Sequence, residues 1–98
     1  MLNTNQIRED LKEIRYYYSM RELFDSAAIT VKPLAILNKV DRYNTAIKAA
    51  PAKLFILYVA LYINNSTQTK LANDWGYTRD YIKGLHQHLV EYLQKTVS

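Results

Sequence analysis

Polar side chains and one glycine cluster in the stretch that follows Trp75, and they are the residues of this chain best suited to chemistry. They fall on one face of a segment whose other face is apolar: Thr78, Arg79, Asp80, Lys83, Gly84 and Gln87. Arginine donates paired hydrogen bonds to guanine, lysine binds guanine or phosphate, and a carboxylate accepts from the amino group of cytosine. Glycine on such a face permits close approach of the backbone to DNA, or is simply tolerated at a cost of ~1 kcal/mol. The pattern predicts a DNA-reading face with Arg79 as the best candidate for guanine.

Two helices joined by a glycine turn must position that face, and residues 67–95 have the pattern of a helix-turn-helix. The small and apolar positions agree in register with that motif: Leu71, Ala72, Trp75, Tyr77, Ile82, Leu85, Leu89 and Leu93. Gly76 stands at the turn, where the chain needs a positive φ that a Cβ would penalise. Thr78 is a good N-cap for the second helix, which we expect to enter a DNA major groove. We expect Trp75 to be buried and Tyr77 to pack at the turn; a purely structural helical hairpin is the alternative.

The net charge of +4 and the sequence pI near 9.3 suit a polyanionic partner without requiring one. Residues 30–65 carry the excess, with five basic side chains against one acidic side chain. Sequence-independent affinity for nucleic acid comes mainly from phosphate contacts, so these cations can lie along the DNA backbone beside the reading helix. The candidates for phosphate contact are Lys32, Lys39, Arg42, Lys48, Lys53 and Lys70. An ordinary solvated basic face is the alternative.

The sequence pattern of residues 1–32 predicts a long N-terminal helix followed by a connector. Asn3 or Thr4 can cap this helix. Its apolar residues keep helical spacing in two stripes: Ile7, Leu11, Ile14 and Tyr18, then Tyr17, Met20, Phe24 and Ala28. Three consecutive tyrosines point in three directions from one turn, so a single neighbouring helix cannot bury all of them. The candidate residues for an interface with a second protomer or with RNA polymerase are Tyr16, Tyr17, Tyr18 and Phe24. Partial burial of the tyrosines, with their hydroxyls in water, is the alternative.

The sequence pattern of residues 33–66 predicts the helices that form the core. Pro33 suits the first position of one helix, and Pro51 restarts the chain before the next. Residues 54–63 are apolar without a break, which is too short to span a bilayer at ~20 residues and too apolar for a surface helix. We expect a buried central helix there, with a buried strand as the competing interpretation. The sequence therefore predicts that residues 1–98 form a single all-α domain of about five helices, with the helix-turn-helix packed on the central helix.

No set of residues in the sequence predicts catalysis, a metal site or a cofactor site. Cysteine is absent, which excludes disulfides and thiolate zinc sites. His86 and His88 lie two apart, roughly opposite each other on a helix, whereas a shared metal favours a spacing of four residues. The N-terminus lacks the apolar centre of a signal peptide. We expect a cytoplasmic protein with no enzymatic activity and no membrane segment.

The helix-turn-helix residues resemble the last DNA-binding region of housekeeping sigma factors, which reads the upstream promoter element. The residues that carry the resemblance are Leu71, Ala72, Trp75, Thr78, Arg79, Asp80, Ile82, Lys83, Leu85, Leu89 and Leu93. The resemblance implies that Arg79, Asp80 and Lys83 contact bases and phosphates. The chain departs from it at Tyr81, where those factors usually have a basic residue, and at Gly84, where they usually have a polar one. We therefore expect a different base sequence to be read. The other sigma regions are missing.

Over most of its length the chain resembles small late-operon transcription regulators of Gram-positive phages and mobile elements, of the ArpU, RinA and LtrC type. The similar stretches are IREDLKEIRYYYSMRELFDSA, NKVDRYNTAIKAAP and the C-terminal part. This resemblance implies activation of phage late genes in a bacterial host cell, through a sigma-like helix that binds double-stranded DNA. Two other classes stay open. A phage terminase small subunit also combines a helix-turn-helix with an oligomerising helix, and a protein-interaction module can keep the fold without binding DNA.

Overall fold

Five helices make up most of the chain that the structure describes. The computed structural model describes residues 2–20 and 34–97, in which there is no β-strand. In chain order the helices are α1 (Thr4–Ser19), α2 (Leu34–Ile47), α3 (Ala52–Tyr58, continued by a π-helix over Val59–Ile63), α4 (Gln68–Trp75) and α5 (Arg79–Val97). The prediction of an all-α fold with about five helices is confirmed. None of the helices in the described ranges has the length and apolar character needed to cross a membrane.

Helix α1 begins where its sequence provides a complete cap. The Asn3 side chain accepts from the Gln6 amide at 2.8 Å, and the Gln6 side chain accepts from the Asn3 amide at 2.9 Å. This reciprocal pair satisfies two amide groups near the helix start that have no partner within the helix. The buried side chains of α1 are Ile7, Leu11 and Ile14. The predicted continuation through Phe24 and Ala28 lies outside the described residues.

Helix α3 runs through the core but is not buried on all sides. Helical conformation over residues 54–63 is confirmed, and Leu57 and Tyr58 are completely buried. The prediction that the whole segment is buried is wrong, because Phe55 is 40% exposed and Ile56 is 53% exposed. Helices α1, α2 and α5 pack against only part of the circumference of α3. In so small a domain the surface is large relative to the interior, so one side of even a central helix meets solvent.

The π-helical end of α3 is held by an arginine from α1. Arg15 donates hydrogen bonds to the carbonyl oxygens of Leu61 at 2.8 Å, Ser66 at 2.6 Å and Asn65 at 3.1 Å. Carbonyl groups at the C-terminus of a helix have no partner within the helix, so a guanidinium is well suited to this place. Arg15 therefore stabilises the point at which the chain leaves α3 and enters α4.

Helix α5 packs against all four other helices, so the core forms around it. The buried side chains are Ile82, Leu89, Val90, Leu93 and Val97 from α5 and Val40, Tyr43 and Ile47 from α2. Two buried phenols keep hydrogen-bond partners. The Tyr43 hydroxyl donates to Asp10 of α1 at 2.6 Å, and the Tyr58 hydroxyl donates to Asn44 of α2 at 2.8 Å. These bonds offset the cost of removing polar groups from water.

The turn between α4 and α5 has the conformation that its sequence predicts. Gly76 has a φ of 74°, in the left-handed region that favours glycine. The Tyr77 amide donates to the Ala72 carbonyl at 2.9 Å and closes α4. The Thr78 hydroxyl accepts from the Tyr81 amide at 3.1 Å, so the predicted N-cap of α5 is present.

Two aromatic side chains at this turn are less buried than predicted. Trp75 is only partly buried against the core, and Tyr77 is 46% exposed. Here α3, the turn and the start of α5 form the walls of an open pocket instead of covering these rings. Leu71, Ala72 and Ile82 are buried as their spacing predicts, but the packing of Trp75 and Tyr77 depends on neighbours that the local pattern does not specify.

Candidate nucleic-acid interface

Most of the predicted reading residues line one open groove at the start of α5, which we call the α5 groove. Its lining residues are Arg8, Gln68, Arg79, Asp80, Lys83, Gly84, His86 and Gln87. The structure thus brings together five of the six predicted reading residues, and all of these except Gln87 are exposed. Thr78 is not among the lining residues, because its hydroxyl faces the Tyr81 amide as the helix cap.

The α5 groove has an excess of positive charge. Among the lining residues in the described part of the chain, Arg8, Arg79 and Lys83 are cations, and Asp80 supplies one carboxylate. Within the described part of the chain, Arg79 and Lys83 form no ion pair and no side-chain hydrogen bond. Asp80 lies in the first turn of α5, where the positive end of the helix dipole stabilises a carboxylate. An anionic ligand therefore meets two cations that give up no protein contact on binding.

Arg8 of α1 was missed by the sequence analysis, although it reaches the predicted reading helix. Its guanidinium donates to the Gln87 side-chain oxygen, and the Gln87 amide nitrogen donates to Glu91 at 3.3 Å. Arg8 and Gln87 are 79 positions apart, so no local spacing signals their contact. Gln68 and His86 also line the groove and were not predicted to do so. Gln68 is the first residue of α4, a position at which helices often meet anions, so the sequence held a usable signal for it.

His86 lines the α5 groove and is paired with the buried ring of Tyr62 behind it. The Tyr62 hydroxyl and the His86 Nε2 atom share a hydrogen bond, and their ring centroids are 6.0 Å apart. Burial, aided by the charge of Arg8, lowers the pKa of His86 below its usual 6.5. Burial also raises the pKa of Tyr62 to about 12. Both side chains are therefore uncharged at neutral pH, and the positive charge of the groove comes from its arginines and lysine.

The fold itself does not require the glycine at position 84. Gly84 has no positive φ, and a Cβ built on it would meet no atom within 4 Å. Gly76, in contrast, needs its left-handed conformation at the turn. An exposed glycine inside a helix lowers stability when no special backbone conformation requires it. Gly84 therefore either serves a contact with another molecule or has no role.

The predicted phosphate-contacting residues do not line the α5 groove. Lys39 of α2 reaches across to α1, where the hydrogen bond to Glu13 and the contact with Asp10 at 3.0 Å raise its pKa. Lys70 pairs with Asp74 at 2.9 Å within α4. The other described candidates do not line the groove either: Arg42 lies near Asp41 on α2, Lys48 follows α2, and Lys53 contacts Tyr81. Lys32 lies outside the described residues.

The tyrosine run of α1 divides between surface and core. Tyr16 is 59% exposed, whereas Tyr17 and Tyr18 are partly buried against the core. The rings of Tyr17 and Tyr18 meet edge to face at 5.2 Å, and the Tyr18 hydroxyl accepts from Asn44 at 2.8 Å. Of the candidate interface residues, Phe24 lies outside the described ranges, so Tyr16 is the one with a large described exposure.

Comparison with known proteins gives no match for this chain: no family model, no curated protein and no solved structure matches it. In the described residues no group of three or more His, Cys, Asp or Glu side chains is placed to hold a metal ion. The geometry and charge of the α5 groove are therefore the observations that bear on function.

Proposed function

We propose that this chain is a sequence-specific DNA-binding transcription regulator that inserts the first turns of α5 into the major groove of double-stranded DNA. The observation that carries the proposal is the pair of unpaired, exposed cations Arg79 and Lys83 in a groove that Gly84 leaves open. Both side chains project from one face at a spacing of four residues, which stacks them along the helix. An α-helix that presents such donors at its N-terminal end matches the way in which helix-turn-helix proteins read bases.

Five residues of the α5 groove have assigned roles in this proposal. Arg79 donates paired hydrogen bonds to guanine, and Lys83 binds guanine or a phosphate. Asp80 accepts from a cytosine amino group. Gln87 lies at the edge of the groove with its side chain held by Arg8, so its amide is oriented before DNA binds.

The biological setting follows from the resemblance to late-operon regulators. On that basis we propose a phage or mobile-element protein that activates late genes in the cytoplasm of a bacterial host. One reading helix covers few bases, so a homodimer or a contact with RNA polymerase would supply further affinity. The exposed ring of Tyr16 is our candidate for that contact.

Selection of binding sites from random duplex DNA tests the proposal. The enriched duplex and a scrambled one are then titrated across salt concentrations with wild type, Arg79→Ala and Lys83→Ala. We expect Arg79→Ala to reduce discrimination between the two duplexes by about 1–3 kcal/mol, because the guanine contact is lost. If Lys83 binds phosphate, Lys83→Ala weakens both duplexes alike and lowers the salt slope by about one.

The matched control is Lys95→Ala, which removes the same charge from the same helix. Lys95 is exposed in the last turn of α5, about 24 Å along the axis from Arg79 at ~1.5 Å per residue. This variant should leave discrimination unchanged. Binding that is equal on both duplexes and disappears with salt would leave only a basic surface, and the protein-interaction module would then be the better hypothesis.

A further inference from the structure

A second surface, separate from the α5 groove, combines exposed aromatic rings with one cation. We call it the aromatic pocket, and its lining residues are Lys53, Ile56, Trp75, Tyr77, Tyr81 and Leu85. Ile56 is 53% exposed, Tyr77 is 46% exposed and Tyr81 is 39% exposed. Single exposed apolar residues are ordinary, but a contiguous concave group of them is typical of a protein-interaction site.

The walls of the aromatic pocket are formed before any partner binds. The rings of Tyr77 and Tyr81 pack against each other with their centroids 4.4 Å apart and their planes inclined by 37°. Trp75 and Leu85 are partly buried against the core, and the Thr78 cap fixes the backbone between the two tyrosines. A partner would therefore lose little free energy to ordering these side chains, which is the advantage of a preorganised site.

The charge of the aromatic pocket indicates the chemistry of its partner. Lys53 is the cation among the lining residues that the structure describes, and none of those residues is acidic. The Lys53 ammonium donates to the Tyr81 hydroxyl at 3.3 Å, and this contact raises its pKa, so the group is charged at neutral pH. An ammonium has three donors, so others remain for an incoming carboxylate.

The aromatic pocket and the α5 groove lie on different faces of the same helix and share no lining residue. At about 100° per residue, Tyr81 and Leu85 are about 40° apart, whereas Arg79 and Lys83 are each about 160° from Tyr81. A ligand in one site therefore leaves the other accessible.

We propose that the aromatic pocket docks a segment of a partner protein that presents an apolar anchor beside a carboxylate. The anchor packs on Ile56 and on the two tyrosines, and the carboxylate pairs with Lys53. This inference does not depend on DNA binding. If both proposals hold, the chain connects a DNA site on one face of α5 to a second protein on the other face.

A random peptide library tests the docking proposal, with displayed peptides about 15 residues long selected on the immobilised full chain. The enriched peptide is then synthesised and titrated by calorimetry against wild type, Ile56→Ser and Lys53→Glu. We expect enriched peptides that carry an aromatic or branched apolar residue next to Asp or Glu. Ile56→Ser should weaken the enriched peptide about tenfold by removing the apolar contact. Lys53→Glu should weaken it about three- to tenfold, and a peptide with Lys in place of the carboxylate should then recover affinity for that variant.

The matched control is Lys95→Glu, which reverses an exposed charge on α5 outside the aromatic pocket and should bind as wild type does. Four results would overturn the proposal. Peptides without an acidic and apolar consensus, or equal effects of Lys53→Glu and Lys95→Glu, would remove the assigned chemistry. A change in sedimentation of the free chain on Ile56→Ser would assign the pocket to a second copy. If Lys53→Glu loses more affinity for the duplex than Lys95→Glu does, the aromatic pocket would be assigned to DNA. Arg79→Ala tests DNA binding separately, because Arg79 does not line this pocket.

Discussion

Replacing Gly84 with alanine separates the stability of the fold from its proposed function. Glycine inside a helix is less favourable than alanine by about 0.5–1 kcal/mol, because it loses more backbone entropy on folding. The new methyl group would meet no atom within 4 Å, so no clash offsets that gain. We expect Gly84→Ala to raise the free energy of unfolding by about 0.5–1 kcal/mol and the midpoint of thermal unfolding by about 2–8 °C.

The same substitution should weaken DNA binding. Gly84 directly follows Lys83 and lines the α5 groove, where, in the proposed complex, its missing side chain lets the backbone approach the DNA. A methyl group placed in a closely packed contact costs about 1–3 kcal/mol, so affinity for the selected duplex should fall by about five- to one-hundredfold. Urea unfolding measures the first effect, and titration of the labelled duplex measures the second.

Gly76→Ala is the control with the opposite sign. Its φ of 74° is unfavourable for a residue with a Cβ, so this variant should lose about 1–2 kcal/mol of stability. If Gly84→Ala is more stable but binds DNA as wild type does, the proposed close approach of DNA at Gly84 is refuted, and Gly84 is merely a tolerated residue. A destabilised Gly84→Ala would refute the structural premise itself.

Two further predictions concern stability. Burial depresses the pKa of His86, so the folded chain binds a proton at this ring less readily than the unfolded chain does. The stability that this neutral ring contributes is present above its usual pKa of 6.5 and is lost as the pH falls through the folded pKa. His86→Gln should therefore lose less stability than wild type between about pH 7.5 and about pH 5.5 in urea unfolding, and equal losses would contradict this. Arg15→Leu should cost about 1–3 kcal/mol in the same assay, because three carbonyl oxygens lose their donor. Lys12→Leu, at an exposed ion pair on α1, should stay within about 0.5 kcal/mol of wild type, and an equal effect of the two substitutions would remove the assigned role of Arg15.

Local signals predicted the features that depend on a few neighbouring residues. The Thr78 cap, the left-handed Gly76 and the helical conformation of residues 54–63 are all present. Each results from interactions within about four residues along the chain, which are readable from spacing and residue type. The same periodicity placed Arg79 and Lys83 on one exposed face.

Contacts between distant elements were not readable in this way. Helical spacing shows that residues 54–63 are apolar, but not that Phe55 and Ile56 would meet solvent. It shows an amphipathic α1, but not that Arg8 would reach Gln87 or that Arg15 would bind the end of α3. A periodic pattern specifies which face seeks burial, and leaves open which helix covers it and how completely.

The amino-acid order alone accounts for an all-helical chain, its caps, its glycine turn and a polar face on α5, because hydrogen bonds and steric limits within one or two turns impose them. The packing of α1, α3 and α4 around α5 established the rest. It joined Arg8 and Gln68 to the α5 groove, and it left the aromatic pocket open. These features depend on which surfaces meet across the core, and that is set by the packing of the whole chain.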